Sequence, residues 1–379
     1  MKIIVAMDSF KGSVSSKEAS DAVEVGIKSA FSEAEVKTYE MADGGEGTTD
    51  ILVNSLGGQK IPKVVTGPLG KEVTSYVGLV PSENLAIIEV ASTSGLTLLS
   101  QDELNPKLAT TYGLGELIEY AHALGARNFI VGLGGSSTND GGVGMLQAMG
   151  YRFLDKNKQD IEQGGLALNQ ISKIIKTNEA AKFDGCNFRV ACDVNNTLYG
   201  EAGATYVFGP QKGATVEDLE VLDQGLKHYA DKTLEDMNID IAEIPGGGAA
   251  GGLGAAFHGY LGGQLETGVS LITDMLGIEE EIETADLVIT GEGRLDAQTA
   301  MGKVPVGIAA LAEHYQVPVI GLAGSLSKDA DQLNERGLNA VFSIQAEPMP
   351  LDQAMEKEVT IENIRRTTEQ VIRLFNIGK

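Results

Sequence analysis

The two ends of the chain share one pattern, in which each short apolar run is followed by a polar, glycine-containing segment and then by a helix. Residues 2–7 form such a run, and Asp8 follows it directly. A helical pattern of small and apolar residues comes next, and Ser15 followed by Glu18 predicts a capping box at its start. The pattern returns from Asp286 onward, with apolar runs at 287–290 and 317–322. Strands that alternate with helices are typical of parallel sheets. The pattern predicts one parallel, Rossmann-like sheet built from both ends of the chain.

The middle of the chain departs from this pattern. Residues 61–66, 73–79 and 85–90 are β-rich runs with Gly, Pro and Asn turns between them, which predicts an antiparallel patch. A helix of small residues is predicted through about residue 275, and an amphipathic helix from about 352 to 375. We therefore predict an α/β fold with two domains, namely a discontinuous parallel-sheet domain (1–62 and 285–379), an inserted mixed α/β domain (63–284), and an active site in the cleft between them.

Charge and composition exclude several classes of protein. The chain has 29 Lys and Arg against 53 Asp and Glu, a net charge of −24, which disfavours nucleic-acid and anionic-membrane surfaces. Two cysteines are too few for a disulfide framework. The N-terminal apolar run is too short for a signal peptide, and no stretch approaches the roughly 20 apolar residues of a membrane span. We expect a cytoplasmic protein, as a monomer or homodimer, that binds a small molecule.

Polar residues follow three of the predicted parallel strands directly. They are Asp8-Ser9-Phe10-Lys11-Gly12 after the first strand, Gly291-Glu292-Gly293-Arg294-Leu295-Asp296 after the strand at 287–290, and Gly324-Ser325 after the strand at 317–322. The ligand crevice of an open parallel sheet lies outside the carboxyl ends of its strands. Any one of these segments is as well explained by caps and turns, but three at one sheet edge favour a site.

Glycines and hydroxyls crowd the segment 132–142, which reads GLGGSSTNDGG and precedes a small helix. Glycine backbone N–H groups, hydroxyl donors and a helix N-terminus suit a polyphosphate, and Asn139 and Asp140 are placed to hold its Mg²⁺. A flexible turn is the alternative. The second glycine-rich stretch, 245–254, fits a nucleotide loop and close helix packing equally well.

The familiar nucleotide motifs are absent. Gly302-Lys303 is followed by Val304 and Gly70-Lys71 by Glu72, so there is no P-loop. The dinucleotide fingerprint lacks its third glycine, because Ser137 stands there. Phosphoryl transfer nevertheless needs only cations, a metal and a positioned carboxylate. Lys11, Lys212, Arg294 and Lys303 all lie in glycine- or serine-bearing segments, although Lys212 and Lys303 are also compatible with plain surface charge.

Six segments, in order along the chain, resemble the type-1 glycerate kinases. They are DSFKGS (8–13), ADGGEGT (42–48), TGPLG (66–70), GGSSTNDGG (134–142), FGPQKGA (208–214) and TGEGRLDAQT (290–299). The one visible departure is Thr197, where this family would have Pro. The resemblance implies ATP-dependent, Mg²⁺-assisted phosphorylation of D-glycerate on a two-domain α/β scaffold, with 2-phosphoglycerate favoured over 3-phosphoglycerate.

Site residues are assigned as hypotheses from the motifs and the resemblance together. We expect Asp296, Asp193, Lys11 and Arg294 to be catalytic, with Arg294 offering bidentate geometry to a carboxylate. The expected substrate-binding residues are Asp8, Ser9, Lys11, Arg294, Asp43 and Glu46, the ATP-binding residues are Gly134, Gly135, Ser136, Ser137 and Thr138, and the metal ligands are Asp193 and Asp140.

Four rival functions are weighed against this interpretation. A galactokinase-like enzyme would explain Gly251-Gly252-Leu253-Gly254, but the Ser-Ser pair of that motif is missing. A dinucleotide-dependent dehydrogenase is disfavoured by the missing fingerprint. A non-catalytic two-domain protein that binds a small organic acid, and a kinase acting on another small hydroxy acid, remain open.

Overall fold

The structure, a computed structural model, describes residues 1–42, 44–45, 47–296, 299 and 303–377. The chain forms two compact units, Met1–Asp43 with Val269–Lys379, and Gly44–Gly268. The first unit begins with β1 (Lys2–Met7), α1 (Ser16–Ala30) and β2 (Glu35–Glu40). The second contains α2 (Thr48–Ser55), β3 (Gln59–Thr66), β4 (Glu72–Val80), β5 (Leu85–Glu89), α3 (Ala91–Ser94), α4 (Tyr112–Ala123), β6 (Asn128–Gly132), α5 (Val143–Ala148), β7 (Tyr151–Leu154), β8 (Lys173–Lys176), β9 (Asn187–Ala191), α6 (Ala204–Phe208), α7 (Val216–Met237), α8 (Leu253–Leu261) and β10 (Gln264–Glu266). The chain continues with α9 (Gly268–Met275), α10 (Ile278–Glu283), β11 (Leu287–Leu295), α11 (Val304–His314), β12 (Val319–Leu326), β13 (Ala340–Ser343), α12 (Leu351–Ala354) and α13 (Lys357–Phe375).

The first unit is built on a five-stranded sheet with the order β13-β12-β11-β1-β2. All four neighbouring pairs are parallel, and β1 pairs directly with β11 from the other end of the chain. Residues 3–7 of β1 are fully buried, as expected for a strand covered on both faces. The capping box predicted for α1 is present, with Ser15 and Glu18 bonding reciprocally. The parallel sheet predicted from the chain ends is confirmed.

The second unit is built on a six-stranded mixed sheet with the order β10-β9-β6-β5-β4-β3. β3, β4 and β5 pair antiparallel, which confirms the predicted antiparallel patch. β5, β6, β9 and β10 are parallel, so their carboxyl ends share one edge. A separate two-stranded antiparallel sheet, formed by β7 and β8, was not predicted because its short strands are not close together in sequence.

Two helices that the sequence predicts as continuous are interrupted in the structure. The helix predicted through about residue 275 is divided into α8, β10 and α9, because Gly262 adopts a left-handed conformation that ends α8. The helix predicted from about 352 to 375 is divided into α12 and α13, with Glu356 extended between them. The junctions between the units follow residues 43 and 268, whereas the sequence placed them after 62 and 284. The first junction lies earlier than predicted because α2 packs on β4 and so belongs to the second unit. The contact is close, since a Cβ on Gly78 of β4 would lie 2.4 Å from the Val53 side chain of α2.

None of the helices in the described ranges is long and apolar enough to cross a membrane.

Candidate active site

Polar residues from four strand ends line one pocket in the first unit, with a volume of about 510 Å³. Parallel strands bring their carboxyl ends to one edge, which is where the pocket lies. The lining residues include Asp8, Ser9, Phe10, Lys11 and Ser13 after β1, Glu292, Arg294, Asp296 and Lys303 at and after β11, Ser325 on β12, and Ile344, Leu351, Ala354, Met355 and Thr360 beyond β13. The structure therefore brings together Asp8, Ser9, Lys11, Arg294 and Asp296, all predicted from the sequence.

The segment after Thr290 is not the turn that the sequence predicts, because β11 continues to Leu295. Glu292 pairs with Ala323 and Arg294 with Ser325 in the parallel register. Glycine is needed at 291, since a Cβ there would lie 2.1 Å from the Leu322 carbonyl oxygen. Alternation along the strand places the side chains of Glu292 and Arg294 on the same face.

Glu292 is a buried carboxylate that the sequence-based assignment missed. It is 6% exposed, accepts a hydrogen bond from the Thr299 hydroxyl at 2.6 Å, and lies 3.6 Å from the Lys303 ammonium. Burial raises the pKa of Glu292, while Thr299 and Lys303 act in the opposite direction. A charged residue between two glycines at the end of a buried strand was the available signal for this position.

Arg294 and Asp296 form an ion pair beside Glu292, with 3.2 Å between Nε and Oδ2. The arginine side chain is two-thirds exposed, whereas the Asp296 side chain is mostly buried. The Asp296 backbone N–H donates to the Thr299 hydroxyl at 3.1 Å, so one buried threonine binds both the Glu292 carboxylate and the backbone of Asp296. A fixed carboxylate beside an accessible guanidinium is able to accept a proton from a bound hydroxyl.

The segment after β1 carries Asp8, Ser9 and Lys11 on a tight loop. The Asp8 backbone N–H donates to the Gly291 carbonyl at 2.8 Å, which ties the loop to β11. The Phe10 and Val14 backbones hydrogen-bond each other, and Gly12 supplies the positive φ of the turn. Lys11 is exposed and forms no ion pair with any residue in the described ranges. Its ammonium is thus available to an anion.

The predicted phosphate loop lies after β6, in the second unit. Gly134 and Gly135 are exposed, but the side chains of Ser136, Ser137 and Thr138 are buried. The Ser137 hydroxyl donates to the Ser94 carbonyl at 3.0 Å, as does its backbone N–H at 2.8 Å. The Ser137 hydroxyl therefore holds the loop from its buried side, and within the loop only Gly134 and Gly135 are exposed.

Lys212 also holds this loop in place. The alternative interpretation of Lys212 as a plain surface charge is wrong, because the residue is buried. The side chain is 2% exposed, and its ammonium donates to the Ser136 hydroxyl at 3.0 Å and the Thr138 carbonyl at 2.7 Å. Burial lowers the pKa of Lys212 to about 7, with Asp140 acting in the opposite direction. A lysine in this position fixes the backbone that follows Gly135.

The two predicted metal ligands differ in their surroundings. Asp140 is buried and accepts hydrogen bonds from the Thr111 backbone and hydroxyl, both at 2.8 Å, and from the backbones of Gly142 and Gly144. Asp193 is exposed after β9, and its Oδ1 accepts from the Gly268 backbone at 3.0 Å. Within the described ranges, no three His, Cys, Asp or Glu residues are grouped to hold a metal ion by themselves.

The glycine-rich stretch 245–254 packs against the braced loop. A Cβ on Gly251 would lie 2.0 Å from the Thr138 carbonyl oxygen, and one on Gly252 would lie 2.6 Å from the Gly141 Cα. Of the two alternatives that the sequence left open, close packing accounts for these glycines.

The ADGGEGT segment is only partly described, since Asp43 and Glu46 lie outside the described residues. Gly44 and Gly45 approach the loop predicted to bind phosphate. A Cβ on Gly132 would lie 2.4 Å from the Gly44 carbonyl oxygen, and one on Gly134 would lie 3.0 Å from the Gly45 Cα. Glu89, at the end of β5, accepts from the Thr49 backbone at 2.7 Å, and burial raises its pKa. Glu89 stands in register with Gly132 of β6.

Comparisons with known proteins agree over the whole chain. A family model described as "Glycerate kinase family" matches residues 3–376. A glycerate kinase of Bacillus subtilis is 45% identical over 379 residues, covering 100% of this chain and 99% of that protein. A glycerate 2-kinase of Escherichia coli is 42% identical over 378 residues, covering 100% and 99%. A crystal structure described as a candidate glycerate kinase 2 from Salmonella typhimurium LT2 has a TM-score of 0.90 and 43% identity, covering 100% of this chain and 99% of that chain.

Proposed function

Because the chain belongs to the glycerate kinase family, we propose that it transfers the terminal phosphoryl group of ATP to D-glycerate and forms 2-phosphoglycerate and ADP. The observation that carries this proposal is the pocket of the first unit, which gathers Lys11, Arg294 and Asp296 from two different parts of the sequence. Cations and a positioned carboxylate are the protein groups that phosphoryl transfer to a hydroxy acid requires besides a metal ion.

Arg294 and Lys11 bind the carboxylate of glycerate in this proposal. Both side chains are exposed at the pocket, and the guanidinium suits a planar carboxylate. Asp296 lies 3.2 Å from the same guanidinium, so we assign it to the carbon next to the bound carboxylate. That carbon carries the 2-hydroxyl. This supports phosphorylation at position 2, in agreement with the description of the Escherichia coli relative as a glycerate 2-kinase.

Asp296 takes the proton of the attacking hydroxyl in this proposal. Its hydrogen bond with Thr299 fixes the backbone at the end of β11, and its pairing with Arg294 keeps the carboxylate oriented. Lys303 is held near Glu292 and supplies positive charge for the transferring phosphoryl group. Asp8 and Ser9 complete the acceptor side of the pocket.

The nucleotide phosphates are assigned to the exposed Gly134 and Gly135, with Ser136, Ser137 and Thr138 as the buried support beneath them. Mg²⁺ usually takes one or two protein carboxylates together with substrate phosphates, so a site with few acids is compatible with it. Asp193 is the proposed ligand because its carboxylate is exposed at the carboxyl edge of the second sheet, whereas Asp140 is occupied by four hydrogen bonds. Bound Mg²⁺ neutralises phosphate charge.

The test is ADP release measured by a coupled assay with ATP, MgCl₂ and D-glycerate. We expect release that depends on D-glycerate and is lost on addition of EDTA. Glycolate, L-lactate and tartronate serve as alternative acceptors. A preference for one of these acids over D-glycerate would show that this acid, and not D-glycerate, is the substrate. If no ADP were released with D-glycerate or with any of the alternative acids, the proposal would be refuted.

A further inference from the structure

The pocket of the first unit is lined by two chemically different sets of residues. The charged set is Asp8, Lys11, Glu292, Arg294, Asp296 and Lys303. The apolar set, here named the apolar wall, consists of Phe10, Ile344, Leu351, Ala354 and Met355. A pocket lined by both charged and apolar side chains indicates a ligand that carries both kinds of group.

The apolar wall has a buried base and an exposed rim. Phe10 and Ile344 are almost fully buried within the core of the first unit. Leu351 is 75% exposed and Met355 is 37% exposed, although both are large apolar side chains. Together they offer apolar area that a bound group would remove from water.

The wall is fixed to the loop that carries Lys11. The Met355 Cε lies 2.8 Å from where a Cβ on Gly12 would stand, so the methionine packs directly over this loop. Thr360 donates a hydrogen bond to the Ala354 carbonyl at 3.1 Å, and its hydroxyl lies 2.6 Å from that of Ser13. The apolar wall and the cation are therefore held at a fixed spacing before any ligand binds.

We infer that the apolar wall binds the purine base of the nucleotide. This inference rests on the proposed function, in which the second substrate is ATP. Glycerate is a three-carbon acid with no apolar face, so it has no use for the wall and fills only part of a pocket of about 510 Å³. A nucleotide joins a flat apolar base to anionic phosphates. The wall suits the base, and Lys303, which the proposed function assigns to the transferring phosphoryl group, lines the same pocket.

A tryptophan introduced in place of Leu351 tests base binding directly. The chain contains no Trp, so Leu351→Trp introduces a single fluorophore, and the high exposure of this position makes the substitution compatible with folding. We expect ADP to quench its fluorescence, because a base stacks on an indole ring. Inorganic tripolyphosphate and D-glycerate should leave it unchanged. Leu374→Trp is the matched control, since Leu374 is 61% exposed on α13 of the same unit but does not line this pocket.

Kinetics provide the second test. We expect the double variant Leu351→Ser/Met355→Gln to raise KM for ATP about tenfold and to leave KM for D-glycerate within about twofold. The inference is overturned if the indole of Leu351→Trp responds equally to tripolyphosphate and ADP, if it ignores ADP while the wild type turns over ATP, or if KM for the acid rises instead. If ADP quenched the fluorescence but ATP turnover did not depend on D-glycerate, base binding at the apolar wall would be supported and the proposed function refuted.

Discussion

The hydroxyl of Ser13 lies 2.6 Å from the hydroxyl of Thr360. Since the Thr360 hydroxyl donates to the Ala354 carbonyl, it accepts from Ser13, and the three groups form a directed chain. Ser13 follows Lys11 by two residues, so this chain joins the loop carrying a candidate substrate cation to the junction between α12 and α13.

Removing the Thr360 hydroxyl should therefore loosen the Lys11 loop. We expect Thr360→Val to lower kcat/KM for D-glycerate by roughly fivefold, mainly through KM, because one neutral hydrogen bond contributes about 1 kcal/mol. Thr360→Ser should restore the wild-type value. Thr368→Val is the control, since Thr368 is equally buried on α13 and bonds only its own helix at Ile364. Equal losses in the two valine variants would refute a positioning role.

Replacing the proposed base should affect turnover more than binding. We expect Asp296→Asn to lower kcat by about 100-fold or more while KM for D-glycerate changes by only a few-fold, as for other general bases. Asp331→Asn, an exposed acid of the same unit, should leave both constants unchanged. A kcat for Asp296→Asn within a few-fold of the wild type would exclude Asp296 as the base.

Lys212 should make stability depend on pH. Its pKa is lowered to about 7 from the ordinary value of 10.5, so between these values the folded chain binds fewer protons at this site than the unfolded chain. Folding is consequently favoured as pH rises through this window, by at most about 1.4 kcal/mol per pH unit, and the contribution is lost as pH falls through about 7.

Urea unfolding of the wild type and Lys212→Met, from about pH 6 to about pH 9, measures this contribution. We expect the free energy of unfolding of the wild type to rise with pH relative to that of the variant. Lys227→Met, which removes an exposed lysine from α7, should run parallel to the wild type. A difference between wild type and Lys212→Met that stays constant with pH would contradict the lowered pKa of Lys212.

The packing of the glycine-rich stretch on the phosphate loop can be tested with two matched glycines. Gly251 and Gly262 have φ values of +70° and +65°, so alanine is strained at both. A Cβ on Gly251 would collide with Thr138, whereas a Cβ on Gly262 meets nothing within 4 Å. We expect Gly262→Ala to cost about 1 kcal/mol of unfolding free energy and Gly251→Ala at least about 2 kcal/mol more. Equal costs would show that the contact with Thr138 tolerates a methyl group.

The sequence predicted those features that depend on neighbours along the chain. The strand at 2–7, the Ser15 capping box and the antiparallel patch at 61–90 are set by local patterns, and all are confirmed. Strand ends also predicted the edge at which Asp8 and Arg294 meet, because parallel strands align their carboxyl ends.

Features set by distant contacts were not predictable in the same way. The burial of Glu292 and of Lys212 could not be predicted, because it depends on packing against Thr299 and against Ser136, which are distant contacts or lie beyond the local pattern. The apolar wall depends on the break at Glu356, which no proline or glycine marks. The extension of β11 to Leu295 depends on its register with β12, which the local pattern does not contain.

The measurement that tests the central proposal most directly is ³¹P and ¹³C NMR of the product formed from D-glycerate and ATP with MgCl₂. We expect a single phosphorylated acid with the phosphate on carbon 2, together with ADP. A product phosphorylated on carbon 3 would contradict the assignment of Asp296 to the carbon next to the bound carboxylate. The absence of any phosphorylated acid would contradict glycerate phosphorylation itself.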